Sequence, residues 1–377
     1  MVNKCVGCMS CVSSCKVGAI HKIVSDDGFV YPEVDKSICV HCGLCDSNCI
    51  AINPVKAQYP SKTYVAIAKN KKDIEKSSSG GMFWVFAKHF IDNGGYVCGC
   101  VFDDNYNAVH IISDKIEDVM RMQGSKYVQS SMFGVFEKIS EICKINKKLL
   151  FTGTPCQCAA VKQYFKGCSN IFYIDIICHG VPSNKLWQKN LEEMYKINPR
   201  KIEFRIKNKY ERTRYAFNID ERKKIDYRKN GYYSLFMNEK NFRKSCYHCQ
   251  FAIPERVGDL TMGDCNTWMD YFDFYPEYPI SSLMLNTESG LRLFDEVKDK
   301  LEYKVLDYNK EQIGNKQLSR PADVKNRLSD TDLQSLTFGK ANLSEYKIGM
   351  KFKDYIKLFL KHIFPTKFRY RLQGKFK

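Results

Sequence analysis

The most constraining feature of this 377-residue chain is a run of four cysteines that occurs twice near its amino terminus. Both runs have the spacing C-x2-C-x2-C-x3-C, and together they comprise Cys5, Cys8, Cys11, Cys15, Cys39, Cys42, Cys45 and Cys49. Thiolate sulfur is the ligand of iron–sulfur clusters, and the two-residue gaps let a tight loop wrap three corners of a cubane. The duplicated run therefore predicts two [4Fe–4S] clusters in a ferredoxin-type domain over residues 1–56.

The fourth cysteine of each run is expected to ligate the other cluster. The spacing thus assigns Cys5, Cys8, Cys11 and Cys49 to one cluster, and Cys39, Cys42, Cys45 and Cys15 to the second. Zinc is the alternative, because paired cysteines also bind zinc, but a third cysteine after two residues and a fourth after three, occurring twice, are not typical of zinc sites. The proline that usually follows the fourth cysteine is replaced by Lys16 and Ile50, which we expect to alter reduction potential rather than ligation.

The remaining composition points to a reducing compartment. The chain has 18 cysteines, many at two-residue gaps, and no apolar run before Cys5 that resembles a secretory signal. No stretch of eighteen uninterrupted apolar residues predicts a transmembrane helix. We therefore expect a cytoplasmic protein whose cysteines bind clusters rather than form disulfides.

Beyond a polar linker at 54–62, strand and helix patterns alternate. Apolar runs predict strands at 63–69, 96–102, 108–112, 148–152 and 171–177, and helices are predicted after Gly81, over 131–145 and from Ser183. This alternation favours a mixed α/β core. The expected fold class is α+β: a dicluster ferredoxin-type domain, a mixed α/β domain and a basic C-terminal helix.

Five ordered motifs lie between residues 64 and 310. They are Ser78-Ser79-Gly80-Gly81, the segment from Gly124 to Gln129 (GSKYVQ), Thr152-Gly153-Thr154-Pro155-Cys156-Gln157, the segment from Cys178 to Ser183 (CHGVPS), and Cys246-x2-Cys249 followed by Asp259 to Asp264 (DLTMGD). With these motifs the chain resembles the beta subunit of coenzyme F420-reducing hydrogenase and formate dehydrogenase. The resemblance implies an N-terminal-like domain over 62–145 and a C-terminal-like domain over 146–320. The remaining residues, 321–377, are predicted from their own composition to form a basic amphipathic tail.

The resemblance also implies cofactors and a pathway. Members of the family carry FAD and at least one [4Fe–4S] cluster of their own, and they pass electrons between clusters and a hydride-accepting partner. Bacterial members with a fused ferredoxin look like parts of surface-polysaccharide pathways. Four further cysteines fall within the matching motifs and are expected to bind a third [4Fe–4S] cluster: Cys156, Cys178, Cys246 and Cys249. The alternatives are ordinary buried cysteines, or a zinc site that includes His248.

Glycine- and serine-rich turns provide the expected FAD contacts. A turn ahead of a helix presents free backbone N–H groups to a phosphate, although a simple helix cap has the same sequence. The expected cofactor-binding residues are Ser78, Ser79, Gly80, Gly81, Gly124, Ser125, Lys126, Tyr127, Thr152, Gly153 and Thr154. The Gly153 turn follows a predicted strand, at the end where open α/β sheets bind ligands.

Two residues are candidates for catalysis. Lys126, beside the flavin, is expected to favour the anionic reduced ring, with a solvated surface lysine as the alternative. His179 is expected to handle the proton, because neutral imidazole exchanges protons near pH 7. A histidine satisfied by backbone groups at a strand end is the alternative interpretation.

The carboxyl-terminal segment is strongly basic. Of the net charge of +17, residues 346–377 contribute +9, from ten Lys and Arg residues and one acid, Asp354. Apolar residues recur there at helical spacing from Phe352 to Ile363, next to a lysine stripe, which is typical of a helix lying on an anionic membrane surface. Packing on the chain's own domain and nucleic-acid binding are the alternatives, and no nucleic-acid motif accompanies the second.

The sequence thus predicts an FAD- and iron–sulfur-dependent oxidoreductase that is cytoplasmic, with peripheral docking on the inner membrane face. It would exchange electrons between its clusters and FAD, with a hydride-type reaction on a deazaflavin or a polysaccharide-pathway metabolite. Its partner is expected to be a redox protein or a small-molecule hydride acceptor. The rival interpretation is a non-catalytic electron-transfer subunit of a larger redox complex.

Overall fold

The computed structural model describes residues 2–194, 199, 201–208, 211–272, 278–338, 345–346, 352–364 and 368. Its strands are β1 Ile20–Val24, β2 Val30–Val34, β3 Lys62–Ala68, β4 Tyr96–Phe102, β5 Ala108–Ser113, β6 Leu149–Gly153, β7 Ile171–Ile176, β8 Ile202–Asn208, β9 Glu211–Ile219, β10 Lys223–Asp226, β11 Leu260–Asp264, β12 Ser281–Leu285 and β13 Leu301–Val305. Its α-helices are α1 Ser10–Ser14, α2 Leu44–Ser47, α3 Lys71–Glu75, α4 Met82–Asp92, α5 Ile116–Met122, α6 Val135–Lys144, α7 Pro155–Tyr164, α8 Asn184–Met194, α9 Gly231–Met237, α10 Glu288–Asp295, α11 Tyr308–Gly314, α12 Asp330–Ser335 and α13 Phe352–Ile363. Short 3₁₀ helices lie at Val2–Lys4, Tyr227–Lys229, Lys244–His248, Trp268–Asp270, Lys298–Lys300, Lys316–Leu318 and Val324–Asn326.

A large mixed sheet forms the centre of the molecule. Within the described residues it has eight strands in the order β13-β3-β12-β11-β7-β6-β4-β5. The central strands β11, β7, β6 and β4 run parallel, whereas the outer pairs are antiparallel. Parallel strands are covered on both faces, which explains the continuous apolar run of β6. The carboxyl ends of β6, β7 and β11 meet at one edge of this sheet.

The sheet joins segments that are far apart in sequence. Strand β3 lies between β12 and β13, and its pairing with β12 aligns Ala66 with Ser281. Strands β3 to β5 come from the predicted 62–145 unit, and β6, β7 and β11 to β13 come from the predicted 146–320 unit. The two predicted units therefore share one sheet.

The amino-terminal cysteine-rich segment packs against one face of this core. Its hairpin β1–β2 is antiparallel, and the buried Ile50 joins an apolar cluster that includes Phe136 of α6 and Ala159 of α7. Helix α7 also bonds to it, since Gln163 Nε2 donates to the Ser47 carbonyl at 2.9 Å and the Tyr164 hydroxyl donates to the Ser13 carbonyl at 3.1 Å. Apolar packing and polar contacts thus fix the cysteine-rich segment on the core.

A cluster of aromatic side chains packs between a second, smaller sheet and two helices. The three-stranded antiparallel sheet β10-β9-β8 packs with α8 and α9 around the buried Trp187, Tyr232 and Phe204. The Tyr232 hydroxyl donates to the Tyr127 carbonyl at 2.6 Å. This contact holds the GSKYVQ motif against α9.

Most predicted elements are found within one to four residues of their expected bounds. Helix α6 begins at Val135, four residues later than predicted, because Gly134 precedes it with a φ of 77° that is incompatible with helix. Helix α5 and strand β11 were not predicted as elements. The short helix α3 likewise lies where no element was predicted.

The basic tail contributes helix α13. Its apolar side chains Phe352, Tyr355, Ile356, Phe359, Leu360 and Ile363 are all exposed. None of the helices in the described part of the chain is long and apolar enough to cross a membrane. Of the expected lysine stripe, the structure describes the side chain of Lys353, which is exposed. The other lysine side chains of the stripe and the residues after Phe368 are not among those it describes.

Candidate functional site

Four cysteines from both runs converge beside the core, as the ligand exchange between runs predicts. They form the inner cysteine set: Cys5, Cys8, Cys11 and Cys49. Burial, together with repulsion from the neighbouring sulfurs of Cys8, Cys5 and Cys49, raises the pKa of the Cys11 thiol to about 12. Crowded, desolvated thiols are costly to ionise unless a positive group compensates, and the iron ions of a cluster supply that charge.

The other four cysteines form the outer cysteine set: Cys15, Cys39, Cys42 and Cys45. Cys42 is exposed, and it lies within electrostatic reach of Cys45. Cys15 Sγ accepts a hydrogen bond from the Ala19 backbone N–H at 3.1 Å. The two halves of the segment are tied together by Asn48, whose side chain donates to Ser14 Oγ at 2.9 Å.

The core cysteine set consists of Cys156, Cys178, Cys246 and Cys249, which come from three separate parts of the fold. Cys156 lies in the first turn of α7, Cys178 follows β7, and the C-x2-C pair lies on the 3₁₀ helix Lys244–His248 and at its end. Burial raises the pKa of the Cys246 thiol to about 12, with added repulsion from Cys249 and Cys156. Burial also raises the pKa of Cys156, where Cys178, Cys249 and Cys8 add to the shift. The core set is therefore gathered at one place and adjoins the inner set through Cys8.

The surroundings of the C-x2-C pair bear on the zinc alternative. His248 is exposed, whereas Cys246 and Cys249 face Cys156 and Cys178. Among the described residues, no group of three or more His, Cys, Asp or Glu side chains has, as it stands, an arrangement that could hold a metal ion. The cluster ligands therefore remain predictions, and they rest on spacing and on the convergence of the thiols.

A cavity of about 520 Å³ opens at the carboxyl edge of the parallel strands, which is within the usual size range of ligand sites. Two core-set cysteines, Cys156 and Cys178, line one wall. The inner-set loop reaches the cavity through Val6 and Gly7. Of the predicted cofactor and catalytic residues, those that line it are Ser78, Ser79, Gly81, Gly124, Ser125, Lys126, Tyr127, Thr152, Gly153, Thr154 and His179.

Two of the predicted loops are joined directly. The Ser78 hydroxyl accepts from the Ser125 backbone N–H at 2.7 Å and lies 2.8 Å from the Ser125 hydroxyl. Gly81, at the start of α4, and Gly124 have φ values of 88° and 81°, which glycine adopts without strain. The two loops thus form one Ser- and Gly-rich wall at the amino end of an eleven-residue helix.

Gly80 departs from the expectation for a cofactor contact. It is buried behind the loop and is not part of the cavity lining. Its N–H donates to Ser281 Oγ at 3.0 Å, and an added Cβ would lie 2.7 Å from the Ala66 carbonyl oxygen. Its physical role is to let the loop approach β3 and β12, so its N–H is not available to a phosphate.

Lys126 also differs from the expected role beside a flavin ring. Its ammonium donates to four backbone carbonyl oxygens, at 3.0 Å to Arg121, 3.2 Å to Met122, 2.9 Å to Gln123 and 3.3 Å to Gly124. It therefore caps the carboxyl end of α5, where a cation is favourable. Burial lowers the pKa of Lys126 to about 8. The N–H donors of its ammonium are nevertheless occupied by the carbonyl oxygens.

Thr152, Gly153 and Thr154 connect β6 to α7 at the cavity edge. Thr154 and Gln157 form a reciprocal capping box, and the Thr154 hydroxyl lies 3.1 Å from Cys156 Sγ. The Thr152 hydroxyl donates to the Cys98 carbonyl at 2.9 Å. The motif thus fixes the start of α7, and with it the orientation of Cys156.

A charged group at the far wall accompanies His179. Arg205, which is buried, donates to Asp264 Oδ2 at 2.6 Å and lies over the Tyr215 ring at 4.8 Å. His179 lines the cavity, and its side chain is exposed there. Desolvation lowers its pKa, while Asp264 and Glu239 oppose the shift. The lowered pKa favours the neutral imidazole, which is able to accept a proton.

Sequence reasoning missed His110 in the cavity wall. Its Nε2 donates to the Thr152 carbonyl at 3.0 Å, and its ring stacks on Phe151 at 5.6 Å. Burial lowers its pKa to about 4. It stands in an ordinary strand sequence with no motif, and only the pairing of β4 with both β5 and β6 brings it to the cavity.

Two family models match the chain in comparisons with known proteins. Residues 4–52 match the family model described as 4Fe-4S dicluster domain. Residues 146–311 match the model for the carboxyl-terminal part of the beta subunit of coenzyme F420 hydrogenase/dehydrogenase. No curated protein matches the chain.

One solved chain belongs to the structure titled xenon derivatization of the F420-reducing [NiFe] hydrogenase complex from Methanosarcina barkeri. It is similar at 15% identity with a TM-score of 0.48, and the match covers 70% of this chain and 92% of that one. The family resemblance expected from the motifs is confirmed by the two family matches. Residues 4–52 are thus similar to 4Fe–4S dicluster domains, and residues 146–311 are similar to the carboxyl-terminal region of the coenzyme F420 hydrogenase/dehydrogenase beta subunit.

Proposed function

We propose that this iron–sulfur oxidoreductase-type protein is a flavoprotein that carries electrons between its dicluster domain and FAD bound in the cavity, with a third [4Fe–4S] cluster between them. One observation carries the proposal. Cys156 adjoins Cys8 of the inner cysteine set on one side and, with Cys178, lines the cavity on the other. The core cysteine set thus lies between the dicluster domain and the cavity.

The cavity wall offers suitable groups for FAD. The Ser- and Gly-rich wall at Ser78, Ser79, Gly81, Gly124 and Ser125 would hold the pyrophosphate, because backbone N–H groups and hydroxyls at the amino end of α4 favour an anion. Tyr127, Thr152, Gly153 and Thr154 would line the remainder. When bound, FAD converts single-electron transfers into a two-electron, hydride-type transfer.

His179 is proposed to hold the proton that accompanies this two-electron chemistry. The neutral imidazole faces the cavity, and the Arg205–Asp264 pair lies close enough to influence it. Lys126 is not assigned a proton-transfer role, because four carbonyl oxygens occupy its ammonium.

The proposed reaction is reduction or oxidation of a deazaflavin or of a polysaccharide-pathway metabolite, by analogy with the family. The alternative is a non-catalytic subunit that relays electrons within a larger complex. Turnover of a soluble deazaflavin by the purified protein supports the first. Bound flavin that is bleached by a one-electron donor, without turnover of any soluble acceptor, supports the second.

The direct test is anaerobic purification followed by cofactor analysis. Three clusters predict about 12 iron atoms and about 12 acid-labile sulfides per chain, and two clusters predict about 8. Acid release and mass spectrometry identify the flavin. A preparation with iron but without flavin contradicts the FAD assignment, and a colourless preparation without labile sulfide contradicts the whole proposal.

The outer cysteine set is the proposed entry point for a redox partner protein. Cys42 is exposed, and the apolar side chains of Ile38, Val40 and Leu44 around it are also exposed. Exposed apolar residues next to a redox centre suit a transient partner. Cross-linking of a reduced electron-transfer protein to Lys36, with Lys298 on another part of the surface as a control, tests this surface.

The tail is proposed to bind the inner membrane face. The apolar side chains of α13 are exposed along its length, and the sequence around them is rich in Lys and Arg. We expect the full chain to co-sediment with vesicles containing phosphatidylglycerol but not with pure phosphatidylcholine vesicles. Phe359→Ser with Ile363→Ser should abolish co-sedimentation, and Phe133→Ser, an exposed aromatic elsewhere, serves as the control. Equal binding by both variants contradicts the proposal.

A further inference from the structure

A buried arginine connects the inner cysteine set to the core cysteine set. The side chain of Arg243 is only 1% exposed. Its backbone belongs to the core-set loop, because its N–H donates to the Val181 carbonyl at 3.0 Å and its carbonyl accepts from the Cys246 N–H at 2.8 Å. Its side chain extends in the opposite direction, into the dicluster domain.

The guanidinium reaches the ligand loop of the inner set. It donates to the Cys5 carbonyl at 2.7 Å, the Val30 carbonyl at 3.0 Å and Gln129 Oε1 at 3.1 Å. Its Nη2 also lies 3.7 Å from Cys5 Sγ. The aromatic ring of Tyr31 lies 4.1 Å from its central carbon. These oxygen partners are carbonyl groups, so they satisfy its N–H donors without neutralising its charge.

The absence of neutralisation requires a physical explanation. A buried cation is costly unless an anion compensates it. A [4Fe–4S] cluster with four thiolate ligands is such an anion, and it becomes more negative when it accepts an electron. A hydrogen bond to a ligating sulfur and a nearby positive charge both favour the reduced state.

The outer cysteine set has the opposite surroundings. Cys45 Sγ lies 4.0 Å from Asp46 Oδ1, and both are near the surface. A carboxylate beside a ligating sulfur disfavours addition of an electron. The two clusters of the dicluster domain therefore face charges of opposite sign.

We propose that Arg243 is a positioning residue that raises the reduction potential of the inner cluster above that of the outer cluster and fixes the inner cluster beside the core set. This inference rests on the proposed function. One electron then passes favourably from the reduced outer cluster, loaded by a one-electron-reduced electron-transfer protein, to the oxidised inner cluster. No bond is made or broken in this transfer, and the outer cluster is oxidised as the inner one is reduced.

The test is a redox titration of the anaerobically purified holoprotein, monitored by electron paramagnetic resonance with dithionite as reductant. The wild type should show two dicluster potentials, and the Cys42→Ser variant, which lacks an outer ligand, should retain the higher one. In Arg243→Gln, the ratio of reduced to oxidised inner cluster at a fixed potential should fall about tenfold, which is 59 mV for a one-electron couple. Arg243→Lys keeps the charge and should restore most of the shift.

The possible outcomes distinguish a failure of the proposed function from a failure of the role proposed for Arg243. Wild-type protein without cluster signals overturns the proposed function itself. Intact signals with an unchanged inner potential in Arg243→Gln, or an equal shift in Arg243→Lys, overturn only the role of Arg243. If Arg243→Gln does not assemble, the titrations of the wild type and of Cys42→Ser decide. Equal potentials for the two dicluster clusters in the wild type contradict the inference. Loss of the higher potential in Cys42→Ser also contradicts it.

Discussion

The two cysteine runs have the same local backbone but different surroundings. Gly7 and His41 occupy equivalent positions, with φ values of 71° and 53°, and Met9 and Gly43 occupy the next equivalent pair, with 63° and 72°. The left-handed backbone is therefore a requirement of the ligand loop, whatever the side chain. The glycine at position 7 has an additional reason, because an added Cβ would lie 2.7 Å from Arg243 Nη1, whereas nothing lies within 4 Å of the corresponding point at Gly43.

Cluster ligation and the proposed redox role of each cluster therefore depend on different residues. Cysteine spacing determines which sulfurs can share a cluster, and the spacing is the same in both runs. The charges and solvent around each set come from residues outside the runs, such as Arg243 for the inner set. The inner set is thereby suited to transfer inward, and the outer set to exchange with a partner.

The largest expected effect comes from removing the link between the inner set and the cavity. Cys156→Ser should lose about four iron atoms per chain, because serine does not replace the thiolate of the third cluster. Flavin reduction by a protein donor should then fall to background while the dicluster signals persist. Stopped-flow absorbance and iron analysis measure both effects. Cys158→Ser, at a buried cysteine outside the sets, is the control, and a full rate in Cys156→Ser would contradict the route.

The support beneath the core set should be the next most sensitive feature. Asp175 accepts from Arg256 Nη2 at 3.2 Å, and the two side chains are 0% and 1% exposed. Asp175→Ala leaves the buried guanidinium without its anion, and we expect a loss of about 3–5 kcal/mol in the free energy of unfolding. The surface pair Lys88–Asp92, with both side chains nearly half exposed, is the matched control. Lys88→Ala should change stability by about 0–1 kcal/mol.

Anaerobic urea unfolding, followed by tryptophan fluorescence, measures both variants. Similar losses in Asp175→Ala and Lys88→Ala would show that the buried pair does not support the core set. Such a result would weaken the distinction between the buried surroundings of the inner cysteine set and the exposed surroundings of the outer cysteine set.

The left-handed glycines of the two runs, Gly7 and Gly43, test the comparison directly. Gly43→Ala should cost about 1 kcal/mol, because alanine is strained in a left-handed conformation. Gly7→Ala adds the displacement of Arg243, and overpacking of this kind costs about 1–3 kcal/mol more. The same urea experiment measures the difference in the free energy of unfolding. Equal losses at the two positions would mean that displacing Arg243 does not lower the free energy of unfolding.

The last expected effect concerns the pH dependence of stability. His110 has a folded-state pKa of about 4, against an ordinary value of about 6.5, so the unfolded chain binds more protons between these values. Stability due to neutral His110 is therefore present above pH 6.5 and is lost as the pH falls toward 4. Between pH 7 and pH 5 the loss should be about 2 kcal/mol. Unfolding at both pH values should show a correspondingly smaller loss in His110→Gln, and an identical loss would contradict the assignment.

Local patterns predicted much of this molecule. The spacing of the cysteines is a covalent property of the sequence, and the apolar runs of β6 and β7 reflect burial on both faces, so both are readable without coordinates. The glycine- and serine-rich turns line the cavity, apart from Gly80, and their role in FAD binding stays a prediction. In contrast, the roles of Gly80 and Lys126 depend on partners distant in space or on nearby carbonyls, and neither contact has a sequence signature.

The residues that were missed share a common cause. His110, Asp264 and Arg243 acquire their roles from tertiary neighbours, respectively the Thr152 carbonyl, Arg205 and the Cys5 loop. Strand β11 was recognised as part of a motif but not as a strand, because its five residues include Gly263 and two polar side chains. Pairing between distant segments determines these features, and periodicity does not report on it.

The position of β3 between β12 and β13 has a consequence for biosynthesis. The cysteine-rich segment leaves the ribosome first and contains both of its own runs, so its two clusters can be inserted before the rest of the protein exists. The large sheet, in contrast, cannot close until residue 305 has emerged, because β3 must wait for partners more than two hundred residues away. The order of synthesis therefore lets the cysteine-rich segment form before the large sheet, and it leaves the inner cysteine loop uncovered until the core that covers it has folded.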